Sequence, residues 1–463
     1  MDFFKPSYKT THIGFVSTRI AGTDGVSLEI AKWANVFEKE GFKCFYFAGE
    51  LDRPPECSYF ADLAHFKHKD VWNVHKQAFG VTGRSRFMTK KIHKIKEKLK
   101  DHLYQFVEKF KIDILIPENV LAIPLNIPLG IAITELISET NMPVIAHHHD
   151  FFWERQCFKI SSVWEYINMA FPPNLPSIKH VVINSSASNQ LSFRTGISGI
   201  TIPNVMDFEN PPVPVDDYAL DVRESLGIED DELFILQPTR VVKRKGIELA
   251  IELVRRLNLK AKLVISHASG DEGYDYEQRV REYSKMMNVD TIFVSDIINE
   301  FRGYTKTGKK IYTLNDIYPH ADLITYPSSF EGFGNAFLEA IYFRKPIVVN
   351  TYSIYTIDIK PKGFSVIELD GYVTEQAINQ TKKVLSDKKL CKKMVDHNYE
   401  TAKYNYSYSM LHQKLKNVVL EHIACKNLMN LNKKTITKTR KYESTKQKTA
   451  LNSVTTQVDR VTT

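Results

Sequence analysis

Two glutamates, Glu331 and Glu339, stand eight residues apart around a glycine-rich turn in the C-terminal half of the chain. Apolar runs typical of strands lie on either side, at residues 321–326 and 346–350. The order strand, turn, helix, strand is that of a βαβ unit, which places ligand chemistry at the carboxyl end of its first strand. One carboxylate would then lie at the mouth of a pocket and the other on its flank. An ordinary turn followed by a helix with a solvated glutamate is the simpler alternative.

The turn between the glutamates has the composition of an anion site. Gly332 and Gly334 keep side-chain bulk out of it. The following helix is predicted to begin near Asn335, a residue type that caps helices well. The free amides and positive dipole end of this helix suit an anion such as a diphosphate. Gly334, Asn335 and Ala336 are therefore candidate contacts for such a group.

A basic segment at residues 237–246 also follows a strand-like run and precedes a predicted helix. Its cations are Arg240, Lys243, Arg244 and Lys245. A diphosphate leaving group gains negative charge as its bond to a sugar breaks. Fixed cations beside it stabilise that charge more in the transition state than in the ground state. A basic loop that binds no ligand is the alternative.

Three consecutive histidines, His147, His148 and His149, follow another strand-like run and precede Asp150. Adjacent side chains in an extended segment point to opposite sides, so the three cannot easily bind one ion. No cysteine or spaced histidine set accompanies them in the sequence, and we predict no metal site. A histidine here either contacts a ligand or serves only packing and hydrogen bonding.

Weaker signals lie in three other predicted loops. Glu118 and Asn119 end a strand of the first half, where they either rim a cleft and contact substrate hydroxyls or cap the next helix. Gly25 closes the turn at 22–25, which either contacts a phosphate through its backbone or is purely structural. This turn is not a G-x-G-x-x-G fingerprint, which disfavours a simple NAD enzyme. Residues 266–273 form either a contact to a nucleotide base or a turn.

The candidate residues stand at the ends of predicted strands that alternate with helices, a pattern typical of parallel, doubly wound sheets. The predicted fold class is α/β, with two Rossmann-like domains facing a cleft, the preferred place for a ligand site. A proline-rich segment at 209–216 separates the two sets and is interpreted as a linker. Residues 49–85 carry no clear pattern. The predicted parts are an N-terminal domain at 1–207, a C-terminal domain at 208–407, a helix at 408–430 and a disordered basic tail at 431–463.

Composition excludes several classes of protein. The 463 residues are 43% hydrophobic, enough for sizeable cores, but no apolar run reaches the roughly 18 residues of a spanning helix. The N-terminus lacks the pattern of a signal peptide, and the five cysteines are odd in number and scattered, so a cytoplasmic protein without disulfides is expected. Residues 431–463 hold eight basic and two acidic residues, most of the net charge of +8, so a nucleic-acid partner is not expected.

An amphipathic helix is predicted at residues 88–110, with apolar residues every three or four positions and six lysines on its other face. Two interpretations remain open. The helix covers a sheet with a solvated charged face, or its lysines contact an anionic membrane surface peripherally.

These motifs resemble the retaining GT-B glycosyltransferases of family 4. The resemblance implies that Glu331 lies by the donor sugar and that Glu339 binds the ribose of the donor. It maps the cations that contact the donor diphosphate onto Arg240 and Lys245, leaving Lys243 and Arg244 solvated. It also implies a histidine near the donor sugar, for which His148, with Asp150 as its partner, fits best and His149 is the runner-up. The helix at 408–430 would return to the first domain.

The reaction that this resemblance implies moves a hexose from a UDP-, GDP- or ADP-sugar to an acceptor hydroxyl with retention of configuration. No metal or cofactor is expected beyond the nucleotide sugar. The acceptor would be a sugar, a sugar acid or a glycolipid. The segment from Phe15 to Leu51, together with residues 147–153, resembles enzymes that glycosylate small sugar acids, such as mannosylglucosylglycerate synthases. A GT-B epimerase or phosphorylase, or an inactive scaffold that binds glycans or a partner, are the alternatives.

Overall fold

The computed structural model describes residues 11–22, 24–268 and 274–421. The N-terminal domain is built on seven strands: β1 His12–Val16, β2 Lys43–Ala48, β3 Ser58–Phe60, β4 Ile114–Pro117, β5 Val144–His148, β6 Ile178–Val182 and β7 Gly199–Thr201. They form one parallel sheet in the order β3-β2-β1-β4-β5-β6-β7. The central strands β4 and β5 are buried along their whole length, because helices cover both faces of the sheet.

Six α-helices connect these strands: α1 Gly25–Lys39, α2 Lys69–Ala78, α3 Arg86–Phe110, α4 Ile127–Thr140, α5 Trp164–Ala170 and α6 Ser185–Thr195. Several begin at a polar side chain that accepts hydrogen bonds from the first turn. Asp24 caps α1, Ser85 caps α3 and Asn184 caps α6. These caps fix where each helix begins and therefore how the loops at the carboxyl edge of the sheet are shaped.

The C-terminal domain repeats the pattern with a six-stranded parallel sheet in the order β10-β9-β8-β13-β14-β15 and a small antiparallel hairpin, β11-β12. Its strands are β8 Leu233–Gln237, β9 Ala261–Ile265, β10 Thr291–Phe293, β11 Gly303–Tyr304, β12 Lys310–Ile311, β13 Leu323–Tyr326, β14 Ile347–Asn350 and β15 Ile367–Leu369. Its α-helices are α7 Val222–Ser225, α8 Ile247–Leu257, α9 Asp275–Met286, α10 Leu314–Ile317, α11 Asn335–Tyr342, α12 Glu375–Ser386 and α13 Lys388–Tyr406.

The prediction of two Rossmann-like doubly wound domains is confirmed. The predicted boundary between residues 207 and 208 stays a prediction. The unpatterned stretch at 49–85 contains β3 and α2. Helix α4 was not predicted, because ten of its fourteen residues are buried and leave no polar face to reveal a helical period.

The lysine-rich helix α3 covers the N-terminal sheet. Its apolar face, including Ile92, Leu99 and Phe106, is buried in the core. Lys96 is itself buried and pairs with Glu135 of α4 at 3.0 Å. Part of the cationic face is thus neutralised by acidic partners, which supports the covering-helix interpretation. Contact with a membrane stays a prediction, and no helix in the described ranges has the length and apolarity needed to cross a bilayer.

A helix follows α13 at residues 408–421 and begins against the N-terminal domain. Nζ of Lys39 lies 5.8 Å from the ring centre of Tyr408, and Nε2 of His412 lies 3.0 Å from Glu40 Oε1. The predicted return of the chain to the first domain is therefore confirmed. The rest of that predicted helix and the predicted tail at 431–463 lie outside the described residues.

Two loops of the C-terminal domain approach each other closely at Gly246. This residue has φ of +60°, and a Cβ atom on it would lie 2.4 Å from the carbonyl oxygen of Pro327. Only glycine satisfies both the left-handed backbone and the contact. The turn after β8 is therefore held against the turn after β13.

We expect Gly246→Ala to destabilise the protein by more than the roughly 1–2 kcal/mol that a left-handed conformation costs an alanine, because Pro327 must also move. Gly227→Ala is the matched control. Its φ is +62°, and nothing lies within 4 Å of the added methyl group. Urea denaturation of both variants measures the difference. Equal losses of stability would contradict the close approach of the two loops.

Candidate active site

The centre of the site is a buried ion pair between the turns that follow β8 and β13. Nζ of Lys245 is hydrogen-bonded to Oε1 of Glu331, and Arg244 Nη1 lies 2.9 Å from Oε2 of the same carboxylate. The side chains of Lys245 and Glu331 are 10% and 9% exposed. The backbone supports the pair, because the amide of Ser329 donates to the carbonyl of Arg244 at 2.8 Å.

The pair shifts the pKa values of both partners. Burial alone would raise the pKa of Glu331, but the charges of Lys245 and Arg244 outweigh it and the net shift is downward. Burial lowers the pKa of Lys245, and the charge of Glu331 only partly opposes that shift. The cations therefore stabilise the charged form of the Glu331 carboxylate, and this carboxylate opposes the effect of burial on the Lys245 ammonium group.

The basic segment differs in one respect from the prediction. Arg244 was expected to be solvated, but it reaches across to Glu331 and to the carbonyl of Phe330. The prediction was wrong because the short 3₁₀ turn at Lys243–Lys245 turns Arg244 toward the next loop. Lys243 is exposed as expected. Arg240 is exposed as well, and among the described residues it has no ion-pair partner.

The helix α11 begins at Asn335, but the capping position belongs to Gly334. Gly334 has φ of +118°, and a Cβ atom on it would lie 2.4 Å from the hydroxyl of Tyr352, which donates to the carbonyl of Phe333. The prediction of Asn335 as the cap is thus wrong by one residue. Its side chain instead accepts a hydrogen bond from Asn204 at 2.8 Å.

Glu339 lies one turn inside α11, with its carboxylate held by a tyrosine. The hydroxyl of the buried Tyr318 donates to Oε2 at 2.8 Å. Burial raises the pKa of Glu339, and the hydrogen bond from Tyr318 only partly opposes the shift. No sequence signal pointed to Tyr318, which stands 21 residues before its partner. Ala336, the neighbour of Asn335 in the first turn, is half-buried.

The N-terminal domain touches this loop through residues that follow its strands. Nδ2 of Asn184, after β6, donates to the carbonyl of Gly332 at 2.6 Å. A Cβ atom on Gly332 would lie 3.7 Å from the carbonyl oxygen of His149, after β5. The carboxyl ends of the two sheets therefore face each other at the loop that carries Glu331.

Three groups of the N-terminal domain form a hydrogen-bonded cluster at the same edge. Oε1 of Glu118 lies 2.6 Å from Nδ1 of His147 and 2.7 Å from Nε2 of His149. His147 stacks on Trp33, with ring centres 4.2 Å apart. Burial lowers the pKa of His149, but the hydrogen bond to Glu118 and its charge outweigh burial and raise it. Glu118 Oε2 is buried and lacks a partner among the described residues.

The donor atoms of Glu118, His147 and His149 all lie within 4.8 Å of one another, close enough to hold a metal ion. Strand alternation explains the convergence, because residues two apart share one side. Ligands of a zinc ion, with bonds of about 2.0–2.1 Å, would stand roughly 3.3 Å apart. The observed separations of 2.6 and 2.7 Å are those of hydrogen bonds. The geometry fits a hydrogen-bonded triad better, and the absence of a metal stays a prediction.

His148 lies on the other side of the strand and points into the core. It is fully buried, and its Nε2 lies 2.9 Å from Nδ1 of His180. Burial lowers the pKa of His148 well below its ordinary value and that of His180 to about 4. The structure therefore corrects the preference for His148 at the ligand site. His149 is the histidine that lies against the loop between β13 and α11.

A pocket of about 200 Å³ opens beside Glu118 and Asn119. Two arginines that the sequence did not single out, Arg19 and Arg155, line it together with Asp24. Its other lining residues are Ser17, Thr18, Val26, Phe66, Val120, Ile123 and Leu125. Gly25, predicted to contact a phosphate, is the exposed first residue of α1 at the edge of this pocket.

Asp150 was predicted as the partner of His148, but it bonds to other side chains. Its Oδ1 accepts from Asn119 at 2.9 Å, and its Oδ2 from Nε of Arg155 at 2.5 Å. The two side chains do not pair, because His148 points into the core. Asp150 instead fixes one arginine of the pocket.

After β9, the hydroxyl of Ser266 lies 2.6 Å from Nδ1 of His267, and residues 269–273 lie outside the described residues.

Two Rossmann-like domains whose strand ends face each other across a glycine-rich loop are the architecture of the GT-B class of glycosyltransferase. The family described as glycosyl transferases group 1 matches residues 220–401. Mannosylglucosylglycerate synthase of Petrotoga mobilis (strain DSM 10674 / SJ95) is 32% identical over 382 residues, covering 77% of this chain and 86% of that protein. Its namesake from Thermotoga maritima is 32% identical over 431 residues, covering 86% and 97%. The chain therefore belongs to the group 1 glycosyltransferases.

The likeness extends to solved structures. The crystal structure of a glycosyltransferase from Rickettsia africae ESF-5 superposes with a TM-score of 0.64 at 16% sequence identity, over 90% of this chain and 99% of that chain. At this identity the agreement concerns the fold. It confirms the GT-B architecture.

We expect Glu331→Gln to lower the free energy of unfolding by about 3 kcal/mol, because it leaves Lys245 buried without its counter-charge. The folded-state pKa of Glu331 is lowered, so its stabilisation is present above the unfolded pKa and is lost as pH falls through the folded pKa. The free energy of unfolding of the wild type should therefore fall below about pH 4.3. The variant should lack the part of this pH dependence that Glu331 contributes.

Chemical denaturation between about pH 3 and 8, which spans the usual pKa range of carboxylates, measures both effects. Arg244→Gln is the control, because this arginine is 36% exposed and its removal leaves the carboxylate paired with Lys245. Its cost should stay below about 1 kcal/mol. A Glu331→Gln variant as stable as the wild type would refute the buried pair as a stabilising element.

Proposed function

We propose that this protein transfers a hexose from a nucleotide-diphosphate sugar to a hydroxyl of a small sugar acid, with retention of configuration. The observation that carries the proposal is the Lys245–Glu331 pair, which lies beside the first turn of α11 and faces the N-terminal strand ends. A cation, a carboxylate and free helix amides at one cleft suit a diphosphate joined to a polyhydroxylated sugar.

The donor would lie on the C-terminal domain. Its diphosphate would accept hydrogen bonds from the first amides of α11 and be neutralised by Lys245 and the exposed Arg240. Glu339, held in place by Tyr318, would accept hydrogen bonds from the ribose hydroxyls. Glu331, fixed by two cations, would accept hydrogen bonds from the donor sugar.

The acceptor would enter from the N-terminal domain. The two relatives at 32% identity are named as synthases of mannosylglucosylglycerate, and glucosylglycerate is the acid that yields this product when a mannosyl unit is added. We therefore propose a mannosyl donor and glucosylglycerate as the first acceptor to test. His149 replaces His148 in the proposed role beside the donor sugar, because it lies against Gly332.

In the proposed step, the bond between the anomeric carbon and the diphosphate oxygen breaks while the acceptor oxygen bonds to the same carbon from the same face. The departing diphosphate oxygen takes the proton of the acceptor hydroxyl. Lys245 and Arg240 stabilise the charge on the leaving group. Closure of the cleft excludes water, which would otherwise compete as the acceptor.

Purified protein given glucosylglycerate and a panel of UDP-, GDP- and ADP-hexoses should form a product with one donor base. Proton NMR of the product should show the same anomeric configuration at the new glycosidic bond as in the donor sugar. Lys245→Ala should lower kcat by about 10²–10³-fold, the usual cost of one transition-state contact. Lys243→Ala, an exposed neighbour, should remain active. An inverted product would refute the retaining mechanism, and full activity of Lys245→Ala would refute the site.

Donor binding can be measured apart from transfer. The cognate nucleotide sugar should raise the Tm of the wild type, because a ligand that binds only the folded state stabilises it. Glu339→Gln should need at least about tenfold more donor for the same rise, the cost of one hydrogen bond to a charged group. Glu252→Gln on α8, which removes a half-buried ion pair with Arg256, is the control. An unchanged donor requirement in Glu339→Gln would exclude it from the donor site.

A further inference from the structure

The pocket beside Glu118 has a distribution of charge that a neutral sugar acceptor would not require. Arg19 and Arg155 supply two guanidinium groups to its lining, and Asp24 and Glu118 supply two carboxylates. These opposite charges come from different elements, the first βα turn and the loops after β4 and β5. A ligand that carries both an acid and several hydroxyl groups matches such a lining better than a purely neutral one.

Each arginine is held by a carboxylate of its own, and each keeps further N–H donors for a ligand. Nη2 of Arg19 lies 2.9 Å from Asp24, the residue that caps α1. Nε of Arg155 lies 2.5 Å from Asp150, which is fixed in turn by Asn119. Among the described residues, the two terminal nitrogens of Arg155 have no hydrogen-bond acceptor. The side chains of Arg19 and Arg155 are 35% and 45% exposed, so the pocket can reach their free N–H groups.

Glu118, which also lines the pocket, supplies an acceptor. Oε1 of Glu118 is occupied by His147 and His149, whereas the buried Oε2 has no partner among the described residues. A buried carboxylate oxygen is costly to leave unsatisfied, so a hydroxyl group that reaches it gains a charge-assisted hydrogen bond. His149 also links Glu118 to the donor side, since its carbonyl faces Gly332, next to Glu331.

We propose that this pocket is the acceptor acid site, in which Arg19 and Arg155 bind the carboxylate of a sugar acid and Glu118 Oε2 accepts a hydrogen bond from one of its hydroxyl groups. The inference rests on the proposed function and deepens it, because it names the residues that select an acid. The pocket volume of about 200 Å³ is below the usual range of about 300–1,000 Å³ for a complete ligand site. It therefore suits the acid part of an acceptor, with the donor in the adjoining cleft.

The decisive comparison uses two acceptors that differ only at the acid. Glucosylglycerate carries a carboxylate where glucosylglycerol carries a hydroxymethyl group. The ratio of kcat/KM for the acid to that for the neutral compound should be well above one in the wild-type protein. Arg19→Gln and Arg155→Gln should each lower this ratio by about 10- to 100-fold, the worth of a hydrogen bond to a charged group.

Arg281→Gln is the matched control. Arg281 is 48% exposed and pairs with Glu277 at 2.7 Å, much as Arg155 is 45% exposed and pairs with Asp150. It lies on α9, outside the pocket lining, so its replacement should leave the ratio unchanged. Arg155→Lys keeps the positive charge but lacks the planar guanidinium group. Its acid-to-neutral ratio of kcat/KM should therefore lie between those of Arg155→Gln and the wild type. A loss of folding would instead lower both activities together.

Direct titration of glucosylglycerate into the full chain separates this proposal from the proposed reaction. Binding of the acid by the wild type that weakens about 10- to 100-fold in both arginine variants supports the pocket even if no transfer is detected, in which case the proposed reaction fails alone. Transfer to glucosylglycerate with an unchanged acid-to-neutral ratio in both variants overturns the pocket and leaves the reaction standing. A wild type that neither binds nor glycosylates the acid overturns both.

Discussion

The buried contact between Lys245 and Glu331 is the constraint on which the rest of the site depends. Two turns from separate βα units must approach closely enough for the pair to form, and Gly246 packed against Pro327 permits that approach. Once formed, the pair fixes the loop between β13 and α11, and with it the direction of the first amides of α11. A single charge interaction thus sets both the electrostatics and the shape of the C-terminal side of the cleft.

The N-terminal side of the cleft is organised by hydrogen bonds rather than by one dominant ion pair. Glu118 is hydrogen-bonded to the rings of His147 and His149. Asn119 donates to Asp150 and accepts from the backbone amide of His149. These contacts connect adjacent strand ends of the N-terminal sheet. The residues that follow β4 and β5 therefore hold one another in place at the edge of the sheet.

Much of this arrangement was predictable from local sequence, because buried parallel strands are short apolar runs and their ends are marked by glycine, histidine or acidic residues. Such patterns predicted helix α11 and placed Lys245 and Glu331 in loops that follow strands. The choice between His148 and His149 did not, because it depends on which face of β5 meets the second domain. The contacts of Arg244 and Tyr318 depend on tertiary approach in the same way, and no local spacing encodes them.

Two asparagine side chains that follow N-terminal strands donate hydrogen bonds across the cleft, Asn184 to the carbonyl of Gly332 and Asn204 to the side chain of Asn335 at the start of α11. Their partners lie 148 and 131 residues further along the chain. Any hinge motion that widens the cleft must break both bonds and so release the loop that carries Glu331. Opening of the cleft and release of the loop that carries Glu331 are therefore coupled.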